Sequence, residues 1–163
     1  MLKSQRGVTF LVCVITVIVL LIIGGAVSNT GITMYKNAKV KVFTSEMKMI
    51  QEKLNLYNDR AQLDSSLDIA MIGCSVLDEE QDTYETTHAW LVAHPSLIPE
   101  SEYEYVRYID ETTEQQVLEL NEISRPVLYN YRTKKLYSIQ PALVYTSMMN
   151  YTEYYSLDEL NGN

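Results

Sequence analysis

Apolar residues run without interruption through the first part of the chain. No charged residue occurs from Gly7 to Tyr35, and Val8 to Val27 reads VTFLVCVITVIVLLIIGGAV, with Thr9 and Thr16 as its polar members. A core helix in a small domain keeps a polar side for water, and this run has none. About twenty residues at about 1.5 Å each span a hydrocarbon layer of about 30 Å. The pattern therefore predicts a single transmembrane helix. Lys3 and Arg6 precede the run and favour a cytoplasmic N-terminus, while Lys36, Lys39 and Lys41 follow it.

Beyond the run the period changes. Phe43, Met47, Ile50, Leu54, Tyr57 and Ala61 recur at alternating steps of four and three, which puts them on one face of a helix. Lys41, Glu46, Lys48, Gln51, Glu52, Lys53 and Asn55 lie between them and predict a solvated face. The stripe is expected to pack on the helix's own domain, with a coiled-coil seam to a partner helix as the alternative. Gly24-Gly25 and Ser28-Asn29-Thr30-Gly31 separate the two halves. Glycine costs about 1 kcal/mol against alanine inside a helix, so a kink or a melted stretch is expected there.

The remaining chain mixes short signals. Asn58 to Asp68 reads as a polar turn into a domain, and Asp78 to Asp82 as an acidic loop. Tyr84 to Ala93 predicts a short helix that ends at His94-Pro95, because the residue before proline avoids the helical region. Tyr103 to Ile109 alternates as a strand does. Thr112 to Ile123 predicts a helix with Thr112 and Gln115 as a capping box and Val117, Leu120 and Ile123 on one face. Two alternating runs within Pro126 to Gln140, PVLYNY and LYSIQ, flank RTKK and predict a hairpin. Leu143 to Tyr155 adds one more strand. The expected fold class is α+β: a long N-terminal helix, transmembrane in its first half and amphipathic in its second, packed on a small antiparallel β-sheet domain.

Charge separates the same regions. The 163 residues carry a net charge of -8. Met1 to Leu63 holds eight Lys/Arg against three acids, or +5, and the rest holds five against eighteen, or -13. A domain this acidic repels phosphate backbones, so direct nucleic-acid binding is not expected. Cys13 lies in the apolar run and Cys74 in the domain, a pair that predicts no internal disulfide. Eleven of the thirteen tyrosines fall between Tyr84 and Tyr155, which suits a thin sheet or a contact surface.

No catalytic set emerges. His88 and His94 are six residues apart, off helical ligand spacing, and are expected at the surface. Nucleophile elbow, phosphate loop, paired-cysteine zinc site and dinucleotide fingerprint are all missing from the sequence. Asp158, Glu159, Asn161 and Asn163 offer oxygen ligands for calcium, but acidic tails are usually solvated. Neither a metal nor a cofactor is expected, and the chain is not expected to be an enzyme.

Three fates fit the N-terminal run: a cleaved secretory signal, an uncleaved anchor, or a leader cut before the run. The apolar core of a secretory signal is normally about 7–15 residues, although Gly25-Ala26-Val27-Ser28 offers a small-residue site after this longer one. The third fate comes from resemblance. MLKSQRGVT is similar to the leader of type IV pilins and type II secretion pseudopilins: a short basic leader ending in Gly7, then Val8, Thr9, Phe10 and Leu11. The family carries Glu five places after the cut, and this chain has Val12. Minor subunits at fibre tips share that departure, so the resemblance implies a minor subunit. It further implies cleavage between Gly7 and Val8 by a prepilin peptidase, methylation of the Val8 amine, and Val8 to Val12 heading an assembly helix. The partners implied are sibling subunits, the peptidase, a membrane assembly platform and the lipid bilayer. The domain would stand outside the cytoplasm. Boundaries follow as leader 1–7, transmembrane half 8–30, amphipathic half 31–62 and acidic α+β domain 63–163. The hairpin also resembles that of Gram-positive pseudopilins, whose turn often carries Thr-Gly. Here Lys134 follows Thr133, so any positive φ falls on a non-glycine residue.

Overall fold

The computed structural model describes residues 3–64, 66–120, 125–145 and 150–162, with side chains at 14–20 and from 34 onward within that set, apart from 71. Contacts divide the chain into two compact units, Met1–Lys39 and Val40–Asn163. The helical segment 40–63 thus belongs with the globular residues rather than forming a region of its own, because its apolar stripe lies inside their core.

Helix α1 covers Lys3–Leu63. It runs through Gly24-Gly25 and through 28–31 without a break, so the expected melted stretch is not found. The glycine penalty of about 1 kcal/mol per residue does not interrupt the helix there. In the first unit, Val14, Ile15, Val17, Ile18, Val19 and Leu20 are all exposed. Among the described residues no helix is long and apolar enough to cross a membrane; within the apolar run, the described side chains are those of residues 14–20. The Lys39 ammonium sits 4.9 Å from the centre of the Tyr35 ring.

The second unit is α+β. Its main sheet is antiparallel with strand order β1-β2-β3-β4, formed by β1 (Cys74–Ser75), β2 (Val106–Ile109), β3 (Val127–Asn130) and β4 (Lys135–Ser138). Alternation sorts the side chains onto two faces. Ile109, Val127, Tyr129 and Leu136 join Phe43, Met47, Ile50 and Leu54 of α1 in one core. Val106, Leu128 and Tyr137 point the other way, into a second core with Val76, Trp90, Leu91, Ile98 and Tyr103. Helix α2 (Tyr84–Ala93) supplies Trp90 and Leu91. Both faces of the sheet are therefore covered, and every residue of β3 is buried.

The hairpin pairs Val127 with Ser138 and Asn130 with Lys135. Asn130 Oδ1 accepts from the backbone N–H groups of Arg132 (3.1 Å) and Thr133 (3.0 Å), and Lys134 takes φ 57°. The positive φ falls on lysine at a steric cost that the Asx-type turn helps offset.

Several expected elements shift. The predicted turn at Asn58–Asp68 begins later, since α1 continues to Leu63. The predicted strand Tyr103–Ile109 splits into a 3-10 helix, Glu100–Tyr105, and β2. Tyr103 and Val106 are buried three apart, the spacing of a 3-10 turn, which a two-residue alternation imitates. Helix α3 covers Glu111–Gln116 and its cap is Asp110, which accepts from Thr113 N–H at 2.8 Å; Thr112 does not cap. The chain then reverses through Glu119 at φ 57°, leaving Val117 exposed while Leu118 and Leu120 are buried. Ile123 lies outside the described residues. The single strand expected over Leu143–Tyr155 is two, β5 (Ala142–Tyr145) and β6 (Tyr151–Tyr154), paired antiparallel. Helix α4 (Leu157–Asn161) opens on a capping box in which Ser156 and Glu159 exchange hydrogen bonds.

Candidate assembly surface

Helix α1 presents two different faces within the second unit. On the inner face Phe43, Met47, Ile50 and Leu54 are almost wholly buried, Tyr57 packs against the same core, and Ala61 is half-buried. The stripe is thus occupied by the helix's own domain. It also continues through a polar residue, Asn58, buried beside Tyr131, whose carbonyl accepts from Asn58 Nδ2 at 3.4 Å.

Polar contacts fix the register of α1 on the hairpin. Tyr129 hydroxyl donates to Asn55 Oδ1 at 3.1 Å, Gln51 Nε2 donates to the Lys134 carbonyl at 3.3 Å, and Lys134 pairs with Asp59 at 2.8 Å. Arg125 forks onto Glu46 Oε2 through Nε and a terminal nitrogen, each at 2.8 Å, and lies 5.0 Å from the Phe43 ring centre. Glu46, Gln51 and Asn55 were expected on a solvated face. They sit at its border, where long polar side chains reach sideways to the sheet. Burial pushes the Tyr129 hydroxyl up to about 12, against the opposing effect of the Asn58 hydrogen bond.

The outer face is exposed and mixed. Val42, Met49, Leu56 and Leu63 lie there. Lys53, Leu56, Tyr57 and Arg60 form one wall of a cleft of about 120 Å³, with Val117 and Glu119 opposite.

The expected processing junction, Gly7 and Val8, lies within α1 as described. The side chains of Val8, Thr9, Phe10, Leu11 and Val12 lie outside the described residues. The acidic stretch forms a pinned turn: Asp78 Oδ1 accepts from Glu80 N–H at 3.2 Å and Asp78 Oδ2 from Gln81 Nε2 at 3.1 Å. Neither histidine stands alone at the surface. His88 stacks on Tyr84 with centroids 5.3 Å apart, and His94 lies 4.4 Å from both Trp90 and Tyr155. Helical spacing of four residues from Tyr84 and from Trp90 explains both contacts.

The tail residues have structural partners. Glu159 Oε2 accepts from Tyr155 and Ser156 N–H at 2.7 and 3.2 Å, and Asp158 lies 3.5 Å from Lys135. Asn163 lies outside the described residues. Among the described residues no three His, Cys, Asp or Glu side chains group as a metal site. Burial, with Asp110 and Asp78 adding to it, pushes the free Cys74 thiol up and keeps it protonated at neutral pH.

One buried acid was invisible in the sequence. Glu114 on α3 is fully buried; Oε2 accepts from Arg125 N–H at 3.4 Å, and Oε1 has no partner among the described residues. Burial raises its carboxyl to about 7, with smaller contributions from Asp110, Glu111 and Glu46. No signal in the sequence could have found it: Glu114 sits in a short helix otherwise made of Glu, Thr and Gln. No protein-family model, curated protein or solved structure matches this chain.

Proposed function

We propose that this chain is a non-catalytic structural subunit of a type IV pilus-like or type II secretion/competence pseudopilus fibre. One observation carries the reading: a basic leader ending in Gly7 opens directly onto an uncharged apolar run, and one helix continues from that run into an α+β domain. The apolar run anchors the subunit in the cytoplasmic membrane, N-terminus inside and acidic domain outside. A prepilin peptidase removes Met1–Gly7 and methylates the Val8 amine. The platform and its ATPase then move the run from lipid into a fibre of sibling subunits. A charged residue in lipid costs several kcal/mol unless paired, so Glu after the junction enforces docking in other subunits. Val12 exerts no such force, which favours a minor position.

Co-expression with a prepilin peptidase tests the reading. Intact-mass and N-terminal sequencing should find a chain that begins at N-methylated Val8. Retention of Met1 would reject it.

The same Val12 favours a second reading, an uncut membrane-anchored binding domain. An unprocessed chain that never enters fibres would support that instead.

A further inference from the structure

The outer face of α1 carries a pattern of its own. Val42, Met49, Leu56 and Leu63 recur every seven residues, with 53, 46, 47 and 90% of their surface exposed. An ideal helix drifts about 20° per seven residues, so the four stay within a narrow strip. Lys41 and Lys48 flank the strip on one side, and Lys53 and Arg60 on the other.

The fold also redistributes charge on this helix. Of the three acids between Val40 and Leu63, Glu46 pairs with Arg125 and Asp59 with Lys134, which leaves the exposed Glu52 beside the four cations. Lys41, Lys48, Lys53 and Arg60 have no carboxylate within ion-pair distance among the described residues. The outer face is therefore a basic, apolar surface on a chain whose residues after Leu63 carry -13.

A matching surface exists on the same chain. Leu77 is half-exposed and opens the turn 77–82, in which Glu79, Glu80 and Asp82 are exposed. The turn is preorganised: besides the Asp78 bonds above, Leu77 N–H donates to Ser75 Oγ at 3.3 Å and Gln81 N–H to the Asp78 carbonyl at 3.2 Å. One apolar side chain with carboxylates beside it complements the cleft between Leu56 and Val117, whose about 120 Å³ suits a single aliphatic group and whose two cations, Lys53 and Arg60, outnumber its one carboxylate, Glu119.

We propose that the cleft at Lys53, Leu56 and Arg60 docks the acidic turn of a second copy of this chain, with Leu77 entering the cleft and Glu79 and Glu80 meeting Lys53 and Arg60. The inference rests on the fibre reading and names one of its contacts. The two patches share no residue, so the contact is heterologous: each copy keeps one patch open, and the few copies of a minor subunit stack in a short run rather than closing as a pair. Charge complementarity at the rim sets the register and speeds encounter, and the apolar insertion resists dissociation.

The test uses the full chain with Cys13→Ser and Cys74→Ser, co-expressed with the peptidase and assembly machinery. Leu56→Cys and Leu77→Cys in one chain should give, on mild oxidation, a short ladder of dimers and trimers in membranes and sheared fibres. Each substitution alone should give no ladder. Lys53→Glu with Arg60→Glu should weaken the ladder about tenfold, and Glu79→Lys with Glu80→Lys in the same chain should restore it. That restoration separates a lost contact from a misfolded variant. Fibres without the ladder overturn the contact and leave the fibre reading standing. A membrane ladder from chains that retain Met1 and form no fibres supports the contact and overturns the fibre reading. Dimers through Leu56→Cys alone, or its crosslinking only to a different protein, overturn the contact. Absence of both ladder and fibres overturns both.

Discussion

Glu114 is the residue at which this domain departs furthest from ordinary burial rules. A fully buried carboxyl with one oxygen unpartnered among the described residues is costly when charged, so it holds its proton to about pH 7. Its folded value is raised above the unfolded one, so the folded state binds more protons between about pH 4.5 and about pH 7. Stability must then fall as pH rises through that window. Glu114→Gln should remove the fall and stabilise the chain at pH 8 by up to about 3 kcal/mol. Urea unfolding at pH 5 and pH 8 checks this, and equal slopes with pH in both proteins would contradict it. No sequence pattern marks Glu114, because its neighbours on α3 are equally polar. After the reversal at Glu119, Leu120 N–H returns to the Glu114 carbonyl at 2.9 Å, and Leu118 and Leu120 join the core.

At the level of elements, two leucines two residues apart on α1 separate the faces. Leu54 is fully buried among Met47, Ile50 and the sheet, while Leu56 is half-exposed. Leu54→Ala should destabilise by about 3 kcal/mol through lost burial and the cavity it leaves. Leu56→Ala should change stability by no more than about 0.5 kcal/mol. Thermal unfolding of both variants decides, and similar losses would mean that the helix is packed on both sides. The four-three stripe was legible because a helix that covers a sheet must bury the same side at every turn. The hairpin was legible too, since β-branched and aromatic residues alternate on both sides of RTKK. Less legible were the short elements. The 3-10 helix at Glu100–Tyr105 mimics strand alternation, and β1 is too brief to show a period. The pairing of β5 with β6 needs contacts that no local window contains.

For the whole molecule, the proposed membrane arrangement makes a directional prediction. Proteinase K added to spheroplasts should digest the acidic domain of the full chain, and detergent should not be needed for access. Protection of the domain until detergent is added would place it in the cytoplasm and reverse the assignment of the N-terminus. The exposed, basic outer face of α1 bears on the same scale. A single copy leaves it uncovered, and the proposed contact would cover it with the acidic turn of a second copy.

The amino-acid sequence by itself determined the uncharged run, the inner stripe of α1 and the hairpin. Each depends on neighbours in the chain or on a fixed helical or strand period, so local order suffices to reveal it. Only the tertiary structure decided that the sheet is buried on both faces, that Glu114 is buried, and that Glu46 and Asp59 pair with Arg125 and Lys134. Those outcomes join residues far apart in sequence, where close packing and charge pairing act through space and leave no periodic trace.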